Sequence, residues 1–296
     1  MSKRAKIYTI VGVYLGGLIL LVVAAGSSGK NDEYQPQNEF KLDPWINLPG
    51  PFDINKAVAY VIVAAAVTVF AMVYVARRMQ DRPNRVQTLV ETVFNVMRDT
   101  ITRNNMDASM AAKWFPFIAT LFLFIWISNL IGYIPMPTNT EHPFTLFGLS
   151  IPSFAIYAAT ANLSVPLALA LVVFIAFTVE GVRAKGPLGY LKGLIPKGVT
   201  GGMAVFIFIL ELFSNLLRLI SLSVRLFANI LAGHLIILFM AGGVAVLLGI
   251  PAVAWLTLPL AVILFIFEVG LVATLQAFIF ATLASIYFGD AVSHDH

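Results

Sequence analysis

The sequence predicts an all-α integral membrane protein of five or six membrane helices, ending in two long, steeply tilted helices and carrying one amphipathic helix on the cytoplasmic surface. Three observations carry this expectation. Hydrophobic residues make up 59% of the 296 and charged residues only 11%, with a mean hydropathy of +0.87, where an ordinary globular domain is about a quarter charged. The apolar residues arrive in blocks at 7–25, 56–76, 114–134, 155–179, 203–248 and 252–288, each about as long as a helical bilayer crossing or longer. The last two blocks also carry charged side chains far from their ends. Together these exclude a soluble enzyme and a β-barrel, whose strands would show only short alternating segments.

Composition narrows the chemistry further. Cysteine is absent, so no disulfide, thiolate nucleophile or cysteine metal site exists, and His142, His234, His294 and His296 are too scattered for a metal cluster. No HExxH, Walker or GxSxG pattern is present, so no catalytic residue, metal or cofactor is assigned. The net charge of +4 is spread over connecting loops. It reads as membrane topology, not as nucleic-acid binding.

The elements follow in order. Residues 1–26 are either a signal peptide or an extra N-terminal membrane helix, since block 7–25 follows Lys3, Arg4 and Lys6 and ends in a small-residue Ala24-Ala25-Gly26 step. Either way the acidic segment 27–55 lies outside the cell membrane, and residues 56–290 form the membrane domain. Block 56–76 ends at Arg77, Arg78, Arg82 and Arg85, a cytoplasmic stop. Residues 86–106 then form a surface helix, with Val86, Leu89, Val90, Val93, Phe94, Met97 and Ile101 on one side and Glu91, Asn95, Arg98, Thr102 and Arg103 on the other. Its apolar stripe packs either on its own protein or on a partner helix. Block 114–134 leads into an outer loop without Lys or Arg, and block 155–179 returns to Arg183, Lys185, Lys192 and Lys197 inside. Parity leaves the C-terminus cytoplasmic.

Length and polarity single out the last third. As helices, 203–240 and 252–288 extend about 57 Å and 55 Å, nearly twice the hydrocarbon thickness. The first carries Glu211, Ser214, Asn215, Arg218, Ser221, Ser223, Arg225, Asn229 and His234, the second Glu268 and Gln276. Each charge at a helix centre costs about 2.5–3.5 kcal/mol, which makes a pathway, an ion pair or a wet cavity the default reading. At 100° per residue, Glu211, Arg218, Arg225 and Asn229 fall within roughly 40° of one another, while His234 points about 180° from Arg225. Arginine does not deprotonate, whereas Glu211, His234 and Glu268 do. Arg225 is therefore expected to separate two titratable regions and to attract a partner's carboxylate. The alternatives are an internal ion pair with Glu211 or Glu268, a self-contained transporter, and a structural anchor. Arg218 pairs with Glu211 one heptad away or joins the pathway, and Glu180 is expected to be merely interfacial.

The stretch from Glu211 through Ser214, Arg218, Ser221 and Arg225-Leu226-Phe227-Ala228-Asn229 to Gly233, followed by Gln276-Ala277-Phe278-Ile279-Phe280, resembles subunit a of F-type ATP synthases. Asn129-Leu130-Ile131-Gly132 and Thr160-Ala161-Asn162-Leu163-Ser164 add to it, and the likeness covers about residues 45–290. The resemblance implies a non-catalytic membrane-sector subunit in a bacterial inner membrane, lying beside a ring of c subunits, with peripheral-stalk b subunits near 86–106 and other synthase subunits and lipid as further partners. Arg225 then faces the ring carboxylate. Asn162, His234, Glu268 and Gln276 belong to the outer half-channel, and Glu211, Ser214 and Asn229 to the cytoplasmic one. Two departures stand out: His234 and Glu268 exchange the residue types common in relatives, and Glu268 precedes Gln276 by eight residues where seven are expected. Either a helix bulge absorbs that residue or Glu268 faces differently.

Overall fold

The computed structural model describes residues 3–25, 44–46, 54–134, 144–146, 149–151, 158–195, 199, 201–245 and 251–292. Gly26, most of the segment 27–55, residues 155–157, Lys197, residues 246–248 and the outer-loop Glu141 and His142 lie outside them, as do His294 and His296. The protein is all-α. Helix α1 spans Lys3–Ala25, α2 Lys56–Arg77, α3 Arg85–Asn95, α4 Ala108–Gly132, α5 Ser164–Lys185, α6 Pro187–Gly193, α7 Gly202–Leu238, α8 Pro251–Phe267 and α9 Ala273–Val292. Two short antiparallel ribbons sit in the connections, β1 (Pro44–Ile46) with β2 (Ile54–Asn55) and β3 (Phe144–Leu146) with β4 (Leu149–Ile151).

Local chemistry explains many boundaries. The Asn55 side chain accepts from Val58 N–H at 3.0 Å and starts α2, and Asn84 does the same for α3 through Gln87 N–H at 2.8 Å. Helix α5 stops at Gly186, whose φ of +73° suits glycine, and Pro187 opens α6. Helix α5 begins at Ser164, after a 3-10 turn over Ala159–Ala161, so the described helix starts well inside the apolar block that begins at 155. Helix α4 starts at Ala108, six residues before its apolar block, because α4 continues past the bilayer-type residues into a charged turn.

Among the described residues three π-helical turns interrupt the α geometry: Val96–Arg103 after α3, Phe239–Gly243 after α7 and Glu268–Val272 between α8 and α9. Gly242 leaves helical geometry inside the second. Among the described residues five helices are long and apolar enough to cross a membrane, the last two running over Gly202–Gly243 (42 residues) and Val253–Val292 (40 residues). The chain is a multi-pass membrane protein, and the exceptional length expected of its final pair is present.

The chain divides into two compact units. One comprises Met1–Asp43, Pro135–Ala155 and Leu231–Leu271; in it α1 and the turn Phe239–Gly243 pack on α8, and Tyr14 donates from its hydroxyl to the Leu256 carbonyl. The other comprises Pro44–Ile134, Ile156–Ile230 and Val272–His296, with α9 against α4, α5 and the π turn Val96–Arg103. Its core is aromatic. Phe288 is fully buried, with the Trp114 ring centroid at 4.2 Å and the Phe117 and Phe177 rings around it.

The surface helix divides its apolar stripe. Met97 and Ile101 of the stripe are buried in the second unit, as is Thr102 from the side expected to be polar, and Ser285 donates to the Ile101 carbonyl at 2.9 Å. Gly289 packs so closely on the Asn105 carbonyl that a Cβ there would lie 2.1 Å from it. Val86, Leu89, Phe94 and Val96 remain exposed. On the solvent side Arg98 donates two hydrogen bonds to Asp99, and that contact holds the Asp99 carboxyl below its usual range.

Candidate functional site

Helix α7 supplies most of the polar side chains. Glu211, Asn215 and Arg218 line a cavity of about 350 Å³ together with Lys185 at the end of α5, Tyr190 of α6 and Tyr287 and Asp290 of α9. The Arg218 guanidinium lies 4.0 Å from Glu211 and 3.7 Å from Asp290, with its Cζ 5.4 Å from the Tyr287 ring centroid. The pairing of Arg218 with Glu211 is the heptad contact the sequence allows, and Asp290 is an addition to it. A second, more open groove adjoins it. Ser214, Ser221 and Leu217 line that groove, and Arg218 and Tyr287 border both spaces.

One turn further, Arg225 and Asn229 are exposed beside Val224 and Ala228, while Leu222, Leu226 and Ile230 face inward. Among the described residues Arg225 enters no salt bridge. The internal ion pair weighed for it is thus absent there, and the only described carboxylates paired on α7's charged stripe are taken by Arg218. Ser223 is buried and donates back to its own helix at the Leu219 and Ile220 carbonyls, so it serves the backbone only. The most apolar stretch of α7 has none of its residues buried, whereas that of α4 is 44% buried. Arg225 lies just beyond that uncovered stretch, on the exposed side of α7.

His234 and Glu268 belong to the other unit. Gly233 is buried directly beneath the Glu268 carboxyl: a Cβ there would come within 2.4 Å of Glu268 Oε2 and 2.5 Å of its Cδ. The Glu268 carboxylate thus occupies the space beside the residue preceding His234, and both titratable groups are partly buried. Glu268 opens the π turn Glu268–Val272. A π turn holds one residue more than the α-helical register, so a bulge of the kind the eight-residue spacing calls for lies between Glu268 and Gln276.

Gln276 is buried in α9. Asn162 is partly buried, and its side-chain oxygen accepts from the Ser164 N–H at 3.0 Å at the start of α5. Nearby, a largely buried network joins three segments. Thr160 donates to Asn129 Oδ1 at 2.7 Å, Asn129 Nδ2 donates to the Ala273 carbonyl at 3.3 Å, and Trp126 donates to Thr274 at 3.0 Å. Glu180, expected at the cytoplasmic end of its span, is buried within the protein, 5% exposed, and ion-paired with Lys113.

Sequence reasoning passed over Asp290, Tyr287, Lys185 and Tyr190 as cavity residues. For Asp290 a signal existed: it follows Gln276 by two heptads, which places the two within about 40° on α9. The block boundary at 288 removed it from view.

A multi-pass helical membrane protein with a charged cavity, an uncovered mid-helix arginine and partly buried titratable groups has the character of an ion-conducting membrane component. Residues 58–289 match the profile of the ATP synthase A chain family. Proteins named ATP synthase subunit a are similar to the chain: that of Rubrobacter xylanophilus is 35% identical over 236 residues, covering 79% of this chain and 82% of the relative. That of Bradyrhizobium diazoefficiens is 35% identical over 268 residues, covering 88% and 98%, and that of Parvibaculum lavamentivorans 32% over 283 residues, covering 93% and 100%. The chain belongs to the ATP synthase A chain family, the membrane-sector subunit a of ATP synthase.

Proposed function

We propose that this chain is the non-catalytic stator channel of a proton-translocating ATP synthase in a bacterial inner membrane, with its C-terminus cytoplasmic. Arg225 faces the carboxylates of a rotating c-subunit ring, and two offset half-channels load and unload protons on that ring. The single observation that carries this reading is Arg225 itself, exposed in the middle of a membrane-length helix and without a salt bridge among the described residues. Such a cation in a bilayer calls for a carboxylate from outside the chain.

The physical logic follows from charge. A ring carboxylate crosses lipid only when neutral and ionises only beside a cation, so a fixed guanidinium allows ionisation at one angular position. Because that guanidinium keeps its proton, it also blocks direct flow between the two sides. Glu211, Ser214 and Asn229 serve the cytoplasmic half-channel; His234, Glu268, Gln276 and, through hydrogen bonding, Asn162 serve the outer one. Each proton contributes about 2.3 kcal/mol per 100 mV, so several pass for each ATP. The exposed apolar half of the surface helix, Val86 to Val96, is the face offered to the peripheral-stalk b subunits.

The test compares ATP-driven proton pumping and passive proton leak in inverted vesicles with wild-type chain or Arg225→Ala at matched assembly. Pumping is expected to vanish with the complex intact, and the leak to rise. Undiminished pumping would sink the mechanism.

A further inference from the structure

We propose that α1 is a working helix of the membrane domain, in which Tyr14 supplies a hydrogen-bond donor at the turn of α8 that Pro259 disrupts, so that α1 braces the first half of the last long helical run. The inference stands apart from the proton-channel reading, because it concerns how α8 is held and uses none of the groups assigned to the pathway.

The weak point lies in α8. Pro259 sits inside this helix. A proline within a helix has no N–H for the carbonyl four residues back, here that of Trp255, and its ring presses on that carbonyl and kinks the turn. In lipid no water makes good the loss, so loosened backbone groups take donors from hydroxyl side chains and neighbouring helices. Both kinds of donor are present on this turn. The Thr257 hydroxyl donates to the Val253 and Ala254 carbonyls at 3.1 Å and 3.3 Å. The Tyr14 hydroxyl donates to the carbonyl of Leu256, between Trp255 and Thr257, and it comes from a helix in the same compact unit.

Helix α1 is suited to this place. Its 23 residues carry no charge after Lys6, and at 1.5 Å each they extend about 35 Å, enough to cross the hydrocarbon core. Tyr8, Val13, Ile19, Leu20 and Val23 are exposed, an apolar surface that suits lipid. Tyr14 is the middle residue of Lys3–Ala25 and is only partly exposed. A phenolic hydroxyl at that depth is unfavourable unless it is hydrogen-bonded, and the Leu256 carbonyl provides the acceptor. Each helix thus satisfies a polar group of the other. Helix α8 buries Val253, Thr257 and Ala261, and both α1 and the turn Phe239–Gly243 pack on it. Loss of α1 strips away one of these supports. With Lys3, Arg4 and Lys6 at its start, α1 runs outward from the cytoplasm and α2 returns, which leaves the orientation of the later helices unchanged.

The test uses the assembled synthase purified in detergent. Intact-mass measurement of this subunit should find α1 present, and p-benzoylphenylalanine in place of Tyr14 should cross-link on illumination to peptides of α8 in the same chain. A subunit that begins beyond Ala25 would overturn the proposal, and so would cross-linking that bypasses α8. Tyr14→Phe keeps the ring and loses the donor. It should lower the thermal unfolding midpoint by about 2–4 °C, the shift for one hydrogen bond in a chain of this size. Pro259→Ala returns the missing N–H, so Tyr14→Phe should cost clearly less in that background. An equal loss in both backgrounds, or none in either, would detach Tyr14 from the proline break and remove its assigned role. If Pro259→Ala does not assemble, the mass and the cross-link decide. None of these readouts uses proton pumping, so they keep their meaning whether or not Arg225→Ala pumps.

Discussion

A single methyl group at Gly233 would share space with the Glu268 carboxyl, since all three of that group's outer atoms lie within 2.8 Å of the position a Cβ would take. The obstructing atoms are the end of a flexible side chain, so the carboxylate would move and the helices would not. Gly233→Ala is therefore expected to leave assembly intact and to lower ATP-driven pumping by about one to two orders of magnitude, the cost of misplacing a reacting group by an ångström. Undiminished pumping would remove Glu268 from the pathway. At this scale the sequence showed much: Arg225, His234 and Glu268 stand out because ionisable residues in apolar helices are costly. It did not show what each one touches. Gly233 and Glu268 are 35 positions apart, and their contact depends on how two helices pack, which neither helix encodes alone. Arg218 and Arg225 look alike in the sequence, one heptad apart on one stripe. Only the structure distinguishes them, by giving Arg218 two acids and Arg225 none among the described residues.

At the scale of elements, helix lengths and exposed faces were legible because hydrophobicity records them directly, and the joints were not. Lys113 lies just before the apolar block that marks α4, so nothing in the pattern tied it to Glu180 near the end of α5. In the structure these two residues clamp α4 to α5, with Glu180 only 7% exposed at its side chain and Lys113 about half exposed. Removing the lysine orphans a buried carboxylate. Lys113→Ala should cost about 3 kcal/mol, the low end of the range for breaking a buried pair because the ammonium is partly hydrated. Thermal unfolding in detergent would read it. Replacing both residues together, Lys113→Met with Glu180→Leu, should recover most of the loss; equal instability of the single and double variants would show that the charge pair is not what holds these helices. The π turns were also hidden, since an i to i+5 hydrogen bond leaves no composition signal. Only the eight-residue spacing from Glu268 to Gln276, against the expected seven, hinted at one.

For the whole molecule, orientation is written in its charges. Arg77 ends α2, with Arg78, Arg82 and Arg85 beyond it, and Arg183 and Lys185 lie in the last turn of α5, with Lys192 and Lys197 beyond it, while the segment between α4 and α5 carries Glu141 and no Lys or Arg. By the positive-inside rule the first two groups lie in the cytoplasm and the third outside. With five helices long enough to span among the described residues, the proposed orientation puts the end of α9 in the cytoplasm. The chain has no native cysteine, so a single introduced thiol reports one position without background. A maleimide that does not cross membranes should label Ser293→Cys in inverted vesicles and not in intact cells. Asn139→Cys, in the outer segment, should label in the opposite sense once the outer membrane is made permeable. Pumping measured on the same preparations would confirm that each variant is correctly assembled. Labelling of Ser293→Cys from the outside would reverse the orientation and exchange the sides assigned to the two proposed half-channels.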